Sequence, residues 1–419
     1  MSHFVIHGGV PLKGTVQVGA SKNAMLPILA ATLLTDELCI LNNVPDIKDT
    51  HSMLAILKDL GSEFEFKNHT ITIQTKKIKT RQVNKEVVSH MRASILLLGP
   101  MLARLGKVSM PYPGGCVLGA RSIDTHLEVL RDMGVKWEGD MDDEIVLDGK
   151  PKPADIVLKE MSVTATENAV IAASLADGET TIRLAAIEPH VQDLCRFLIQ
   201  LGVDIKGIGT HTLVVSGKKK LHGATYRITS DYLQAGTLVL AALLTKGTVT
   251  IQGVPIHDLD VFWNLLREMG AQFTIKNDVV TVHPTKRLVA CKRLQTNVFP
   301  GFPTDLQPPF TVLLTQAQGT SYIHEALFEG RFAYVSELKN MGADIRIENP
   351  HEAYVEGPTP LSGMTVRSFD LRAGAAMILA GLVAKGKTTV TQIQYIDRGY
   401  EDFDETLQSL GAKIHRVDD

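Results

Sequence analysis

The chain reads as an α/β protein of two domains, each built from three repeated α/β units of about 70 residues. Two observations predict this. First, a helix-ending glycine recurs six times, in Leu57-Lys-Asp-Leu-Gly61, Leu130-Arg-Asp-Met-Gly134, Leu198-Ile-Gln-Leu-Gly202, Leu266-Arg-Glu-Met-Gly270, Leu338-Lys-Asn-Met-Gly342 and Leu407-Gln-Ser-Leu-Gly411. The steps between these glycines are 73, 68, 68, 72 and 69 residues. Each glycine is followed by a small residue or Val, one polar residue, then Ile, Phe or Trp, as when an amphipathic helix closes on a C-cap glycine and turns into a strand. Second, an Ala/Leu-rich helix ended by glycine precedes each of the last five copies, and it is apolar on most faces, as only a buried helix is.

Taken in order, the first unit has the apolar run Leu26–Leu34, followed by Thr35-Asp36 where later units have glycine. The second ends its apolar helix at Gly106. The third predicts a helix over 165–177 before Gly178, the fourth over 235–246 before Gly247, and the fifth ends at Gly319. The sixth predicts a helix over 373–385 before Gly386. A last strand piece also recurs: Val214-Val-Ser-Gly217 and Tyr354-Val-Glu-Gly357 resemble Val5-Ile-His-Gly8 at the N-terminus, which has no unit before it. Residues 1 to about 20 therefore complete the sixth unit by permuted closure. One domain is expected over 21–230, and the other over 231–419 with 1–20. The chain crosses between them near Ser21 and Asp231, which predicts a hinge and a ligand cleft.

Composition narrows the function classes. The 419 residues are 44% hydrophobic with a net charge of −3, which leaves no electrostatic footprint for nucleic acid. The start lacks a signal peptide's basic and apolar regions, and the longest apolar stretch, 373–384, is too short to span a bilayer. Cys39, Cys116, Cys195 and Cys291 are widely spaced, with no C-x-x-C pair to suggest zinc or redox chemistry. A cytoplasmic, reduced protein with no metal, no membrane insertion and no obligate protein partner is the expectation.

The chemistry is placed on Pro111-Tyr-Pro-Gly-Gly-Cys-Val-Leu-Gly-Ala-Arg121. Three glycines and two prolines rule out a helix or central strand. A thiol on such a loop, five residues before a guanidinium, is set for reactivity. The competing reading is a surface turn with an incidental cysteine.

With the repeats and this loop in hand, the chain resembles the enolpyruvyl transferases over essentially its whole length. The resemblance rests on Ala20-Ser-Lys-Asn-Ala24, His90-Met-Arg-Ala-Ser94, the cysteine loop running into Arg121-Ser-Ile-Asp-Thr125, Met161-Ser-Val-Thr164, Phe302-Pro-Thr-Asp-Leu-Gln307, Leu327-Phe-Glu-Gly-Arg331, Asp370-Leu-Arg372 and Asp397-Arg-Gly-Tyr400. It implies a two-domain "inside-out" α/β barrel with buried helices. The implied activity transfers the enolpyruvyl group of phosphoenolpyruvate to the 3′-hydroxyl of UDP-N-acetylglucosamine with release of phosphate, the first committed step of peptidoglycan synthesis, and without any cofactor. It also implies that Lys22, Asn23, Arg121, Arg372 and Arg398 bind phosphoenolpyruvate. Arg92, Arg121, Ser122, Ile123, Asp124, Thr125, Ser162, Val163, Asp305 and Leu327 are implied to bind the sugar nucleotide, and Cys116 and Asp305 to be catalytic.

That chemistry suits these residue types. A phosphate and a carboxylate call for several cations, and arginine meets both bidentately. The addition needs a base at the sugar hydroxyl and an acid at C3. Asp305 fits the base, with a helix cap as the competing role. Cys116 fits the acid and equally a nucleophile at C2, and the residues leave both open. Tyr232 and Gln234 stand where the family has an arginine and a glutamate, which predicts one cation fewer beside the second crossing. Three other readings are weighed, one of them a diverged, inactive paralogue that Tyr232 keeps open. A diverged relative with another acceptor alcohol, such as shikimate phosphate, would lack the cysteine loop. A clamp-like binding protein would need basic residues facing its partner but no reactive thiol.

Overall fold

The computed structural model describes residues 2–84, 88, 91–114, 123–138 and 144–418. The chain forms two compact units, one of residues up to Gly19 with Ser230 onward, the other of the described residues within 20–229. Each has its own apolar core.

The chain opens with β1 (His3–His7) and β2 (Lys13–Gln17). The first unit of the repeat follows as α1 (Lys22–Ala31), β3 (Cys39–Asn42), α2 (Lys48–Leu60) and the hairpin β4 (Glu63–Lys67) and β5 (Thr70–Gln74). The second has a 3-10 stretch, Arg92–Leu97, running into α3 (Leu98–Leu105), then β6 (Lys107–Pro111), α4 (Asp124–Asp132), β7 (Lys136–Glu138) and β8 (Glu144–Asp148). The third has β9 (Asp155–Val157), α5 (Val163–Ala173), β10 (Glu179–Arg183), α6 (Pro189–Gln200), β11 (Asp204–Lys206), β12 (Thr212–Ser216) and β13 (Thr225–Arg227).

The fourth repeat has α7 (Tyr232–Leu244), β14 (Thr248–Gln252), α8 (Asp260–Glu268), β15 (Phe273–Lys276) and β16 (Val279–Val282). The fifth has β17 (Leu294–Gln295), α9 (Gln307–Leu314), β18 (Gly319–His324), α10 (Val335–Asn340), β19 (Asp344–Asn349) and β20 (Glu352–Gly357). The sixth has β21 (Thr365–Arg367), α11 (Leu371–Val383), β22 (Lys387–Thr391), α12 (Phe403–Ser409) and β23 (Lys413–Val417).

The apolar helices lie inside. All of α7 is buried, and α7, α9 and α11 pack on one another. In the other compact unit α3 packs on α5, and the 3-10 stretch Arg92–Leu97 meets α1, α3 and α5. The six repeat glycines all take the left-handed conformation, with φ between 82° at Gly134 and Gly270 and 109° at Gly61, which any side chain would strain. The expected glycine stop fails once: after α7 the left-handed residue is Lys246, and Gly247 is small for another reason, since a Cβ there would lie 2.3 Å from the Leu12 carbonyl oxygen.

Each sheet pairs a strand after the inner helix with an antiparallel hairpin. A short strand ahead of the inner helix adds in parallel to the strand that follows that helix, as β9 to β10, β17 to β18 and β21 to β22. At the end of each set of three, the strand goes back to the first sheet: β13 pairs with β3, and β2 with β14. β1 lies between β22 and β23, antiparallel to both, so it supplies the hairpin strand missing from the sixth repeat. The N-terminal segment thus serves two sheets, because β2 belongs to the fourth repeat and not the sixth.

The strand-end glycine motif has one physical cause. A Cβ on Gly217, Gly357 or Gly8 would lie 1.9, 2.2 or 2.3 Å from the carbonyl oxygen of Ala176, Ala317 or Ala384. The close approach lets the following chain reach the open end of the inner helix. Lys218 N donates to Ser174 O (3.0 Å), Thr359 N to Thr315 O (2.8 Å) and Gly9 N to Leu382 O (2.8 Å). Each bond satisfies a carbonyl that a helix end leaves without a partner.

Candidate active site

Asp305 sits in the 3-10 turn Thr304–Leu306 that leads into α9. Neither Pro303 nor Leu306, which cap this turn and α9, makes a side-chain cap bond. The Asp305 carboxylate instead accepts from two guanidiniums, Arg331 Nη2 to Oδ1 and Arg372 Nε to Oδ2, both at 3.0 Å. The arginine side chains are 1% and 6% exposed and the aspartate 29%. Its two oxygens are thus fixed in direction.

A buried polar network holds this pair of arginines. Arg331 Nε donates to Thr304 Oγ1 (3.0 Å), whose hydroxyl donates to Glu325 Oε2 (3.0 Å). The other oxygen of Glu325 accepts from the backbone of Leu327 (3.1 Å) and Phe328 (3.3 Å). One buried carboxylate therefore ties the Leu327 turn to the Asp305 turn. Arg372 opens α11 behind its cap, Asp370, which accepts from Arg372 N (2.7 Å) and Ala373 N (2.9 Å). Its Nη1 donates to Tyr400 Oη (3.2 Å), and that hydroxyl also bonds Thr237 Oγ1 (2.9 Å). Burial works against the Arg372 charge, but Asp305, Tyr400 and Asp231 outweigh it and hold the group above the usual arginine range.

Asp231 caps α7, accepting from Leu233 N (2.8 Å) and Gln234 N (3.1 Å). Burial pushes its carboxyl up, with Arg372 pulling the other way. Tyr232 is only 6% exposed and packs in the core. Gln234 accepts from Gly19 N at 2.5 Å, a bond that an amide makes without bringing in a charge.

In the other compact unit, Lys22 and Asn23 open α1 behind the cap Ser21, and Lys22 Nζ meets Asp49 Oδ2 at 2.8 Å. Two of the expected nucleotide-sugar segments meet. Ile123-Asp124-Thr125 enters α4, Ser162-Val163 enters α5, and Thr125 Oγ1 donates to Glu160 Oε1 (3.0 Å) just before Ser162. His126 joins them. Asn168 Nδ2 donates to its Nδ1 (3.0 Å), which assigns the proton to Nε2, facing Thr164 Oγ1 at 3.0 Å. Burial, then the charge of Arg92, push this imidazole down to about 3, so it is neutral. Asn168 also donates to Ile95 O (2.9 Å) and accepts from Gly99 N (3.0 Å), fastening the stretch that Arg92 opens.

Cys116, Arg121 and Ser122 lie outside the described residues. The three other thiols are buried, and burial pushes each up: Cys195 to about 12, Cys291 to about 11, and Cys39 above its ordinary value. They are poor nucleophiles at neutral pH. Among the described residues no cluster of His, Cys, Asp or Glu could hold a metal ion, and no helix is long and apolar enough to cross a membrane.

A family model described as EPSP synthase (3-phosphoshikimate 1-carboxyvinyltransferase) matches residues 6–407. The chain belongs to this enolpyruvyl transferase family. Relatives within it include proteins named UDP-N-acetylglucosamine 1-carboxyvinyltransferase from Lawsonia intracellularis, 42% identical with 100% of both chains covered, and from Methylacidiphilum infernorum, 42% identical with 100% and 99% covered. Among solved structures, the enolpyruvyl transferase NikO from Streptomyces tendae superposes with a TM-score of 0.89 at 26% identity, covering 99% of each chain. EPSP synthase from Acinetobacter baumannii shares the fold, with a TM-score of 0.77 at 20% identity over all of both chains. The inside-out α/β fold that the resemblance implies is therefore that of this chain.

Sequence reasoning passed over several groups of this enolpyruvyl transferase. Arg331 was visible inside Leu327-Phe-Glu-Gly-Arg331, yet its contact with Asp305 across 26 positions has no sequence signal. Glu325, His126 and Asn168 read as ordinary polar residues until their burial is known.

Proposed function

We infer that this protein transfers the enolpyruvyl group of phosphoenolpyruvate to the 3′-hydroxyl of UDP-N-acetylglucosamine and releases phosphate, the first committed step of peptidoglycan synthesis. The observation that carries the reading is the full-length 42% identity to relatives of that name. The product feeds a cell-wall precursor made from soluble nucleotide sugars, which assigns the enzyme to the cytoplasm.

The proposed chemistry is addition then elimination. Asp305, aimed by Arg331 and Arg372, accepts the proton of the sugar hydroxyl as its oxygen bonds to C2 of phosphoenolpyruvate. C3 gains a proton, for which Cys116 is the proposed donor, and a tetrahedral phosphate ketal forms. Loss of a proton from C3 and cleavage of the C2–O bond to phosphate then give the enol ether and free phosphate. Lys22, Asn23, Arg121, Arg372 and Arg398 are assigned to the phosphate and carboxylate of phosphoenolpyruvate. Arg92, residues 121–125, Ser162, Val163 and Leu327 are assigned to the sugar nucleotide. The test is phosphate release from phosphoenolpyruvate with UDP-N-acetylglucosamine, with shikimate 3-phosphate, and with neither. Release with the sugar nucleotide alone is expected; release only with shikimate 3-phosphate would reassign the acceptor.

A further inference from the structure

The turn that carries Arg398 is fastened on both sides. Backbone bonds close it, Asp397 N to Ile393 O (3.1 Å) and Gly399 N and Tyr400 N to Ile396 O (both 3.0 Å). On its far side Tyr400 is held by Thr237 and Arg372. On its near side Asp397 receives a two-pronged contact from Arg416 of β23, Nη1 to Oδ2 at 3.0 Å and Nη2 to Oδ1 at 2.8 Å. The same guanidinium donates to Asp404 Oδ1 of α12 (3.3 Å) and stacks over the Phe4 ring of β1, 4.8 Å from its centroid. Arg416 thus has its plane set by a ring and its fork set by a carboxylate, geometry that a lysine cannot reproduce.

We propose that Arg416 is a positioning residue for phosphoenolpyruvate: by holding Asp397 it aims the neighbouring Arg398 at the anion. This rests on the function proposed above and on the assignment of Arg398 to phosphoenolpyruvate. The pairing of β23 with β1 does not need the contact, because its ladder is made of backbone bonds. A group whose only task was to hold the sheet would have no reason to reach a residue in another turn with both prongs. Arg416 hydrogen bonds, chiefly to Asp397, hold the guanidinium above its ordinary value.

The test uses the full chain with Arg416→Lys and, from the other side of the contact, Asp397→Asn. Neither residue is assigned to a substrate. Phosphate release is measured with phosphoenolpyruvate varied at saturating sugar nucleotide and the reverse, alongside thermal melting. The expected result is a rise of about tenfold in KM for phosphoenolpyruvate in both variants, as for a misaimed binding group. KM for the sugar nucleotide and the melting curve should stay near those of the parent, and the double variant should be no worse than either single one. An unchanged KM for phosphoenolpyruvate in either variant that melts like the parent, or both KM values rising together, overturns the proposal. If Arg416→Lys does not fold, Asp397→Asn decides alone. A parent protein inert with both substrates would instead overturn the functional reading beneath it.

Discussion

Replacing Asp305 by asparagine keeps the shape of the side chain and removes its charge and one acceptor oxygen. The amide oxygen still takes one guanidinium, while the amide nitrogen faces the other, donor against donor. Arg372 keeps Tyr400 Oη and Arg331 keeps Thr304 Oγ1, but one charged hydrogen bond is lost and both buried guanidiniums lose the Asp305 charge, with Arg331 Nη1 already lacking a hydrogen-bond partner among the described residues. The hydrogen bond alone is worth about 1.5–3 kcal/mol, and the two arginines left at 1% and 6% exposure move the cost toward the higher figure. The chemical loss is larger. Without a base at the sugar hydroxyl the rate should fall ~10²–10⁴-fold, equivalent to about 3–5 kcal/mol of transition-state stabilisation. The two effects separate by method: single-turnover phosphate release at saturating substrates reads the chemistry, and thermal melting reads the stability. Calorimetry of the sugar nucleotide should show binding weakened far less than the rate. A variant that melts several degrees lower yet turns over within about tenfold of the parent would reduce Asp305 to a structural anchor for its two arginines.

A small phosphonate epoxide should alkylate Cys116 and stop turnover, more readily with sugar nucleotide bound, and peptide mass mapping should find no label on Cys39, Cys195 or Cys291, whose thiols are buried and raised. Cys116→Asp should turn over and resist the reagent. His126 has a folded-state value near 3 against about 6.5 unfolded, so its stabilisation is complete above pH 6.5 and is lost as pH falls towards 3, at up to about 1.4 kcal/mol per pH unit. Urea unfolding at pH 7 and pH 5 should show this loss, and His126→Gln should show less of it. Gly357→Ala should destabilise by several kcal/mol or abolish folding, because its Cβ would meet the Ala317 carbonyl oxygen at 2.2 Å. A melting temperature equal to the parent's would refute the strand-end account.

The repeat was legible because glycine is forced where backbone geometry demands it. Six left-handed C-caps and three close approaches leave the same letter at a nearly constant spacing. The buried helices were legible from apolar composition, as in α7, where no face is polar enough for solvent. Long-range polar pairing was not legible. Nothing in the sequence distinguishes Glu325, which holds two backbone amides and Thr304, from the exposed Glu329 four residues on. Tyr232 shows the same limit: the change of residue type was visible, but its burial in the core was not.

The place of β1 between β22 and β23 imposes an order on synthesis. His3–His7 is made well before either of its partners, Lys387–Thr391 and Lys413–Val417. At about 5–20 residues per second the strand waits roughly 20–80 s on a ribosome for both neighbours. Residues 20–229 meet all their sheet partners long before that, β3 waiting only for β13. Meanwhile Phe4 and Ile6, fully buried in the finished fold, stand on an unpaired strand, the kind of edge that recruits other chains. Nascent-chain protection thus falls on His3–His7, and the growing chain is most exposed at a strand made long before its partners.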